Sequence, residues 1–185
     1  MSHQLTDYPV IAAIKSAQAA QDCIATPITT VFILSSDILS LPGQVKLLKE
    51  GGKKVFIHLD LAEGIGKDNA GVQYVAQVLQ PAGVISTRTA LLKLASAQGL
   101  IGIQRMFLVD SSSFLSGINQ IKVRKPDYVE VMPGLVPKAI AQLHRESSCP
   151  VIAGGMITTY EDAASALNAG AIAVSTSSQE LWRAF

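Results

Sequence analysis

Short, largely apolar runs alternate with longer amphipathic stretches along the chain. Many of the runs are β-branched, and each is followed by a polar or glycine-containing turn. They lie at 9–14, 30–35, 54–60, 83–88, 100–109, 128–133, 151–157 and 171–176. Runs of this kind are typical of strands that are buried on both faces of a parallel sheet. The pattern therefore predicts eight strands.

The intervals between the runs have helical spacing. Within 69–79, apolar residues fall at i, i+3, i+4 and i+7, namely Val72, Val75, Ala76 and Leu79. Thr158 and Glu161 have the spacing of a capping box in front of a helix over 161–168. Strands that alternate with helices must pair in parallel, because each return to the sheet needs a crossover.

Two architectures fit this alternation: an open, doubly wound sheet and a closed (β/α)8 barrel of the TIM type. Eight units favour the barrel, although 185 residues fall below its usual lower limit of about 200. We therefore predict a compact α/β barrel that forms a single domain over residues 1–185, with one helix shortened or missing. The irregular segments 22–30 and 35–44 place that weak helix after strand 1 or strand 2.

Composition narrows the class of protein. With 49% hydrophobic and 16% charged residues and a net charge of +1, the chain is neither disordered nor a histone-like polycation. No apolar run reaches the roughly 18 residues of a membrane span, and no signal peptide is evident at the N-terminus. We expect a cytoplasmic protein without a membrane partner, in which Cys23 and Cys149 are reduced and structural. The sequence contains no metal-ligand spacing.

Polar residues collect where the predicted strands end, which is the ligand-binding face of parallel α/β folds. Gly154 and Gly155 follow strand 7 and allow a close approach of the backbone to a ligand. Ser175, Thr176 and Ser177 follow strand 8 and offer hydroxyls, together with the amides of a helix expected after them. These two loops predict a phosphate-ester site. The alternative is that the glycines form a tight turn and the hydroxyls only cap a helix.

Charged residues form a second group at the strand ends. Arg88 and Arg105 stand in or just after apolar strands, and buried cations need a partner or an anionic ligand. The candidate partners are Asp60, Glu63, Asp110 and Glu130. The group is interpreted either as a charged ring that holds a polar ligand or as a closed set of structural ion pairs. Together with the two loops above, it favours ligand binding.

His58 is two residues before Asp60, so both side chains face the same side of a strand. A catalytic pair is one interpretation, and a hydrogen-bonded core histidine is the other. No lysine stands inside a predicted strand except Lys54 at the start of strand 3, which argues against a Schiff-base aldolase.

Several longer segments carry a family resemblance. They read HLDLAEG at 58–64, PAGVISTR at 81–88, IQRMFLVDS at 103–111, KPDYVEVMPG at 125–134, PVIAGG at 150–155 and AGAIAVSTS at 169–177. In this order they resemble the glycerol-3-phosphate-responsive antiterminator family, from about residue 9 onward. The resemblance implies a regulator that binds glycerol-3-phosphate and lets transcription pass a terminator in the leader messenger RNA of glycerol-utilisation genes.

The resemblance further implies no catalytic residue and no cofactor besides this effector. Gly154, Gly155, Ser175, Thr176 and Ser177 would hold the phosphate. The charged residues Asp60, Arg88, Arg105 and Glu130 would meet the glycerol hydroxyls or brace the pocket.

The RNA-binding surface is less defined in the sequence. The basic candidates are Lys53 and Lys54, then Lys122, Arg124 and Lys125, and then Lys138, His144 and Arg145. Taken singly, each cluster is more typical of a solvated helix end, and no aromatic residues are interleaved with it. With a net charge of +1, RNA binding requires these clusters to gather on one face or across a homodimer.

Two other functions fit the same residues. A small barrel isomerase, epimerase or aldolase would use the phosphate site, with Asp60, His58 or Glu130 as the general base. A barrel that binds only a protein partner is the third alternative.

Overall fold

The computed structural model describes Leu5 and residues 7–185, and a closed barrel of eight parallel strands lies at its centre. The strands are β1 (Val10–Ile14), β2 (Thr30–Ile33), β3 (Lys54–His58), β4 (Gly83–Ser86), β5 (Ile101–Phe107), β6 (Tyr128–Met132), β7 (Val151–Gly154) and β8 (Ala173–Thr176). They follow chain order around the ring, and β8 pairs with β1 to close it. The predicted barrel is confirmed, and the open sheet is excluded.

Seven α-helices surround the strands in the part of the chain that the structure describes. They are α1 (Ala17–Ile24), α2 (Leu41–Glu50), α3 (Asn69–Tyr74), α4 (Thr89–Ala97), α5 (Ser111–Arg124), α6 (Pro137–Ser147) and α7 (Tyr160–Asn168). A π-helical turn, Val75–Leu79, extends α3. The cap of α7 is Thr159, whose hydroxyl accepts the amide of Asp162, so the cap predicted at Thr158 is wrong by one residue.

The shortened helix is the one after β8. The helices after β1 and β2 have eight and ten residues, so the prediction that one of these is weakest is wrong. After β8 the chain forms only the 3₁₀ turn Leu181–Arg183, which packs against β1. Its Trp182 is buried and donates its indole N–H to the carbonyl of Thr176 at 3.0 Å. This large aromatic side chain covers the barrel where an eighth helix would lie.

The side chains inside the barrel change from apolar to polar along its axis. Its apolar part contains Leu5, Ile11, Phe32, Phe56, Ile85, Ile103, Tyr128, Ile152 and Ala173, and a second apolar layer packs between strands and helices. Side chains alternate along a strand, so the residue two positions further along faces the same side. On four strands that next inward residue is polar and buried: His58, Arg105, Glu130 and Ser175. The C-terminal mouth of the barrel is therefore polar above an apolar base.

Outside the barrel, the two-residue strands Ser36–Asp37 and Ala62–Glu63 pair in the loops that follow β2 and β3. Among the helices of the described residues, none combines the length and the apolar character that crossing a lipid bilayer requires.

Candidate functional site

A buried ion pair stands at the mouth of the barrel. Arg105 on β5 is opposite Glu130 on β6, and its Nε donates to the Glu130 Oε2 at 2.7 Å. The Arg105 side chain is 6% exposed and that of Glu130 is 0% exposed. Ser175 on β8 donates its hydroxyl to the other carboxylate oxygen at 2.6 Å. These contacts hold the carboxylate and the guanidinium in one fixed arrangement.

Two buried polar atoms near this pair have no hydrogen-bond partner within the described residues. They are Nη2 of Arg105 and Nδ1 of His58. Buried polar groups in folded proteins are nearly always hydrogen-bonded, so such atoms call for a ligand group or an ordered water. The guanidinium nitrogen can only donate, which makes an oxygen atom its natural partner.

A cavity of about 250 Å³ opens at the same mouth. It is lined by Ala13, Lys15, Leu34, Arg105, Glu130, Met132, Gly155, Met156, Ile157, Thr158, Ser175, Thr176 and Ser177. Gly154 lies beside it, and a Cβ there would be 2.5 Å from the Ser175 hydroxyl and 2.6 Å from a Glu130 carboxylate oxygen. Gly155 has φ +73°, which favours glycine. The two glycines therefore bring the loop after β7 close to the charged pair.

Most of the predicted phosphate-site residues meet around this cavity. Gly155, Ser175 and Ser177 line it, and Gly154 is adjacent. The hydroxyl of Thr176 is engaged elsewhere, because it donates to the Ile157 carbonyl at 2.7 Å and accepts the Ser178 amide at 3.0 Å. The helix N-terminus expected after β8 is absent, since only the three-residue turn follows.

The predicted charged ring separates into two pairs. Arg105 and Glu130 belong to the mouth, whereas Asp60 and Arg88 lie outside the cavity lining. Asp60 accepts the Thr87 amide at 2.7 Å and the Ser86 hydroxyl at 3.0 Å, and its Oδ1 lies 3.6 Å from Nε of Arg88. The Arg88 side chain is 60% exposed. This second pair shapes the turn between β4 and α4.

His58 remains uncharged near neutral pH. Its pKa is lowered to about 4, mainly by burial and then by the positive charge of Arg105, and the carboxylate of Asp60 opposes both effects. The imidazole therefore carries one donor and one acceptor nitrogen at the mouth.

Lys15 is a cavity residue that the sequence interpretation missed. It follows β1 directly, is exposed, and forms no ion pair within the described residues. The apolar run of β1 ends at Ile14, and Lys15 is the next residue in the sequence. The C-terminal ends of all the strands meet at one face, so a lysine just beyond the first strand qualifies as a candidate for binding an anion.

Neither a metal-binding cluster nor an exposed thiol is found among the described residues. No group of three His, Cys, Asp or Glu residues there could hold a metal ion. Cys23 and Cys149 are buried and unpaired, and burial raises their pKa values to about 11 and about 12.

Two lysines of the predicted basic clusters are bound to other groups of the protein. Lys53 donates its ammonium to the carbonyls of Thr26 and Ile28 at 3.0 and 2.6 Å, and Lys122 is paired with Glu146 at 3.3 Å. These two lysines stabilise the protein's own loops and helices.

The remaining basic candidates are exposed. Lys54 begins β3, and Arg124 and Lys125 end α5, so all three lie toward the N-terminal end of the barrel, away from the mouth cavity. Lys138 is in the first turn of α6, whereas His144 and Arg145 are in its last turn, so the helix separates the members of that cluster.

Comparison with known proteins agrees with this architecture. A family model described as glycerol-3-phosphate responsive antiterminator matches residues 10–182. The chain is 37% identical to YgcP of Escherichia coli, over 97% of this chain and 94% of that protein.

Solved structures are also similar. A glycerol uptake operon antiterminator regulatory protein from Listeria monocytogenes has a TM-score of 0.93 and 32% identity, with 97% of each chain covered. An antiterminator-related protein from Thermotoga maritima has a TM-score of 0.84 and 33% identity, covering 94% of this chain and 96% of the other. The aldolase QR15, at 13% identity, a TM-score of 0.74 and coverage of 92% and 90%, shares the fold. The chain therefore belongs to the glycerol-3-phosphate responsive antiterminator family.

Proposed function

We propose that this protein binds glycerol-3-phosphate in the mouth cavity and, when occupied, acts on the leader messenger RNA of glycerol-utilisation genes as an antiterminator. The observation that carries the proposal is the buried Arg105, whose Nη2 has no partner within the described residues and whose side chain lines a cavity bordered by glycine and serine loops. A small phosphate ester with hydroxyl groups supplies the oxygen atoms that such a site lacks.

The cavity suggests an orientation for this ligand. The phosphate would lie between the loops after β7 and β8, near Gly155 and Ser177, with the exposed Lys15 as its counter-charge. The glycerol hydroxyls would then point inward to Arg105 and Glu130. Asp60 and Arg88 would act indirectly, by holding the turn after β4.

We further propose that the protein is a regulator without catalytic activity. Both carboxylates that an isomerase or aldolase could use as a base are already engaged: Glu130 by Arg105 and Ser175, and Asp60 by Ser86 and Thr87. Incubation with triose and pentose phosphates, followed by NMR, tests this point. Turnover that is lost in Asp60→Asn would favour the enzyme instead.

Effector binding is tested by calorimetry with glycerol-3-phosphate, glycerol and inorganic phosphate. Arg105→Met should abolish binding of glycerol-3-phosphate, whereas Arg145→Met, which removes an exposed arginine of α6, should leave it unchanged. A ligand at 100 times its dissociation constant should also add about 2.7 kcal/mol to the free energy of unfolding. Equal binding by both variants would place the ligand elsewhere.

RNA binding is tested by fluorescence anisotropy with the leader transcript of the organism's glycerol-utilisation operon. Affinity should rise with glycerol-3-phosphate, because the two ligands share one coupling free energy. It should fall with salt, because phosphate contacts release counterions. Equal affinity with and without the effector would overturn the regulatory part of the proposal.

A further inference from the structure

The ring of helices around the barrel has a gap between α4 and α5. α4 packs against α3 and α5 packs against α6, but α4 and α5 make no contact of similar extent. Two cavities of about 140 and 210 Å³ occupy the gap and share Thr89, Arg124 and Pro126 in their walls. We refer to this concave surface, whose floor includes Gly102 and Gln104 of β5, as the α4–α5 cleft.

Three cationic side chains that line the α4–α5 cleft have no partner among the residues that the structure describes. Lys93 projects from α4, and Arg124 and Lys125 end α5. All three are exposed, and within the described residues none of their side chains forms an ion pair or a hydrogen bond. Asp127 is in the same wall, but its carboxylate accepts the Gly102 amide at 2.8 Å. The cleft therefore presents net positive charge to solvent, unlike the sites of Lys53 and Lys122.

The remaining lining is polar and suits a nucleotide strand. Thr89, Ser96 and Gln120 supply hydrogen-bonding groups between the two helices. Unpaired RNA bases are read by such groups on their edges, and the phosphates are held by lysine and arginine. In a duplex the base edges are paired and stacked, so an unpaired strand is the form whose base edges such groups can contact.

We infer that the α4–α5 cleft is the surface that takes single-stranded RNA, with Lys93, Arg124 and Lys125 on its backbone phosphates. The inference rests on the proposed antiterminator function and assigns that function a location.

Strand β5 connects this cleft to the mouth cavity. The Gln104 side chain faces the cleft, and its amide donates to the carbonyls of Thr87 at 2.9 Å and Arg105 at 3.2 Å. Arg105 directs its own side chain to Glu130 at the mouth. Gln104 therefore faces the α4–α5 cleft and also contacts the backbone of Arg105, whose side chain is at the mouth cavity.

Charge removal is the first test. In Lys93→Ala/Arg124→Ala/Lys125→Ala, affinity for the single-stranded leader RNA should fall by at least about tenfold, and the slope of log affinity against log salt should decrease by about 2. The control Lys46→Ala/Lys138→Ala/Arg145→Ala removes the same charge outside the cleft and should change affinity less than about twofold. Calorimetry with glycerol-3-phosphate should give wild-type affinity for both. Equal RNA affinity of the two triple variants would overturn the inference while leaving the proposed function intact.

Steric blocking is the second test and leaves the charges in place. Ser96→Cys puts a thiol in the cleft, and Ala97→Cys puts one on the adjacent exposed position of α4, outside the lining. The native Cys23 and Cys149 are buried, so a bulky maleimide should modify only the new thiol. Modification at 96 should reduce RNA binding, and modification at 97 should not.

Three further outcomes of these tests have defined meanings. Equal effects at 96 and 97 would overturn the inference. A loss of heparin binding together with unchanged affinity for the leader RNA would make the cleft a general polyanion surface and overturn the inference as well. If the unmodified wild-type protein fails to bind the leader RNA at all, the proposed function itself fails.

Discussion

Replacing Arg105 by methionine tests whether the pair at the mouth behaves as a buried ion pair. The side chains of Arg105 and Glu130 are 6% and 0% exposed, and their closest atoms are 2.7 Å apart. Removing one member of such a pair leaves the other charge buried and uncompensated, which costs about 3–5 kcal/mol. Within the described residues, the hydroxyl of Ser175 would remain as the only donor to the Glu130 carboxylate. We therefore expect Arg105→Met to lower the free energy of unfolding by about that amount.

The double variant Arg105→Met/Glu130→Leu separates this cost from the loss of binding. Replacing a whole buried pair by apolar side chains is often neutral, so the double variant should lie within about 1–2 kcal/mol of the wild type. Binding of glycerol-3-phosphate should be lost in both variants, because both lack the guanidinium. The double variant would thus be stable and unable to bind.

Urea unfolding followed by far-ultraviolet circular dichroism measures both free energies, and unchanged m-values would show that the unfolded states are comparable. The cost for Arg105→Met should also persist at high salt, because buried charges are screened little. Exposed ion pairs contribute at most about 1 kcal/mol, so a decrease in the free energy of unfolding below that value would be typical of an exposed pair. That result would refute the reasoning, and so would a double variant less stable than the single one.

Three other predictions follow from named contacts. Gly154→Ala should lower the free energy of unfolding by about 1–3 kcal/mol through overpacking against the Ser175 hydroxyl, as urea unfolding would measure. Because the folded-state pKa of His58 is lowered to about 4, protonation opposes folding, so stability should fall as pH drops from about 6.5 through 4. His58→Leu should flatten that pH dependence. Cys23 and Cys149 should resist a disulfide reagent at pH 8 in the native protein and react in urea, because burial raises both pKa values.

The eight strands were predictable because strands of a parallel barrel are covered on both faces. Burial on both faces makes each strand a short apolar run, which is readily seen in the sequence. The missing eighth helix was not predictable in the same way. The segment after β8 contains Leu181 and Trp182, which also suit a helix, and only packing against β1 shows that a single turn suffices there. Pro42 and Gly43 lie in the first turn of α2, and these two residues made that helix look weaker than it is.

The site was predictable to the level of strand ends. The rule that ligands meet the C-terminal ends of parallel strands gave Gly155, Ser175 and Arg105. Side-chain alternation could have separated Ser175 from Thr176, since neighbours on a strand face opposite sides. The division of the charged residues into two pairs depends on the stagger of β3 to β6 around the barrel, which the sequence alone does not reveal.

The buried Trp182 makes it possible to monitor the closure of the barrel during refolding. It is the single tryptophan of the chain, and its indole is hydrogen-bonded to the last residue of β8 while its turn packs on β1. The contact between β1 and β8 joins the most distant strands in the sequence, and such long-range contacts make folding slow. Intrinsic fluorescence excited at the indole band therefore reports on the contact between β1 and β8. A blue shift that lags behind the recovery of secondary structure during refolding would time the joining of the two strands.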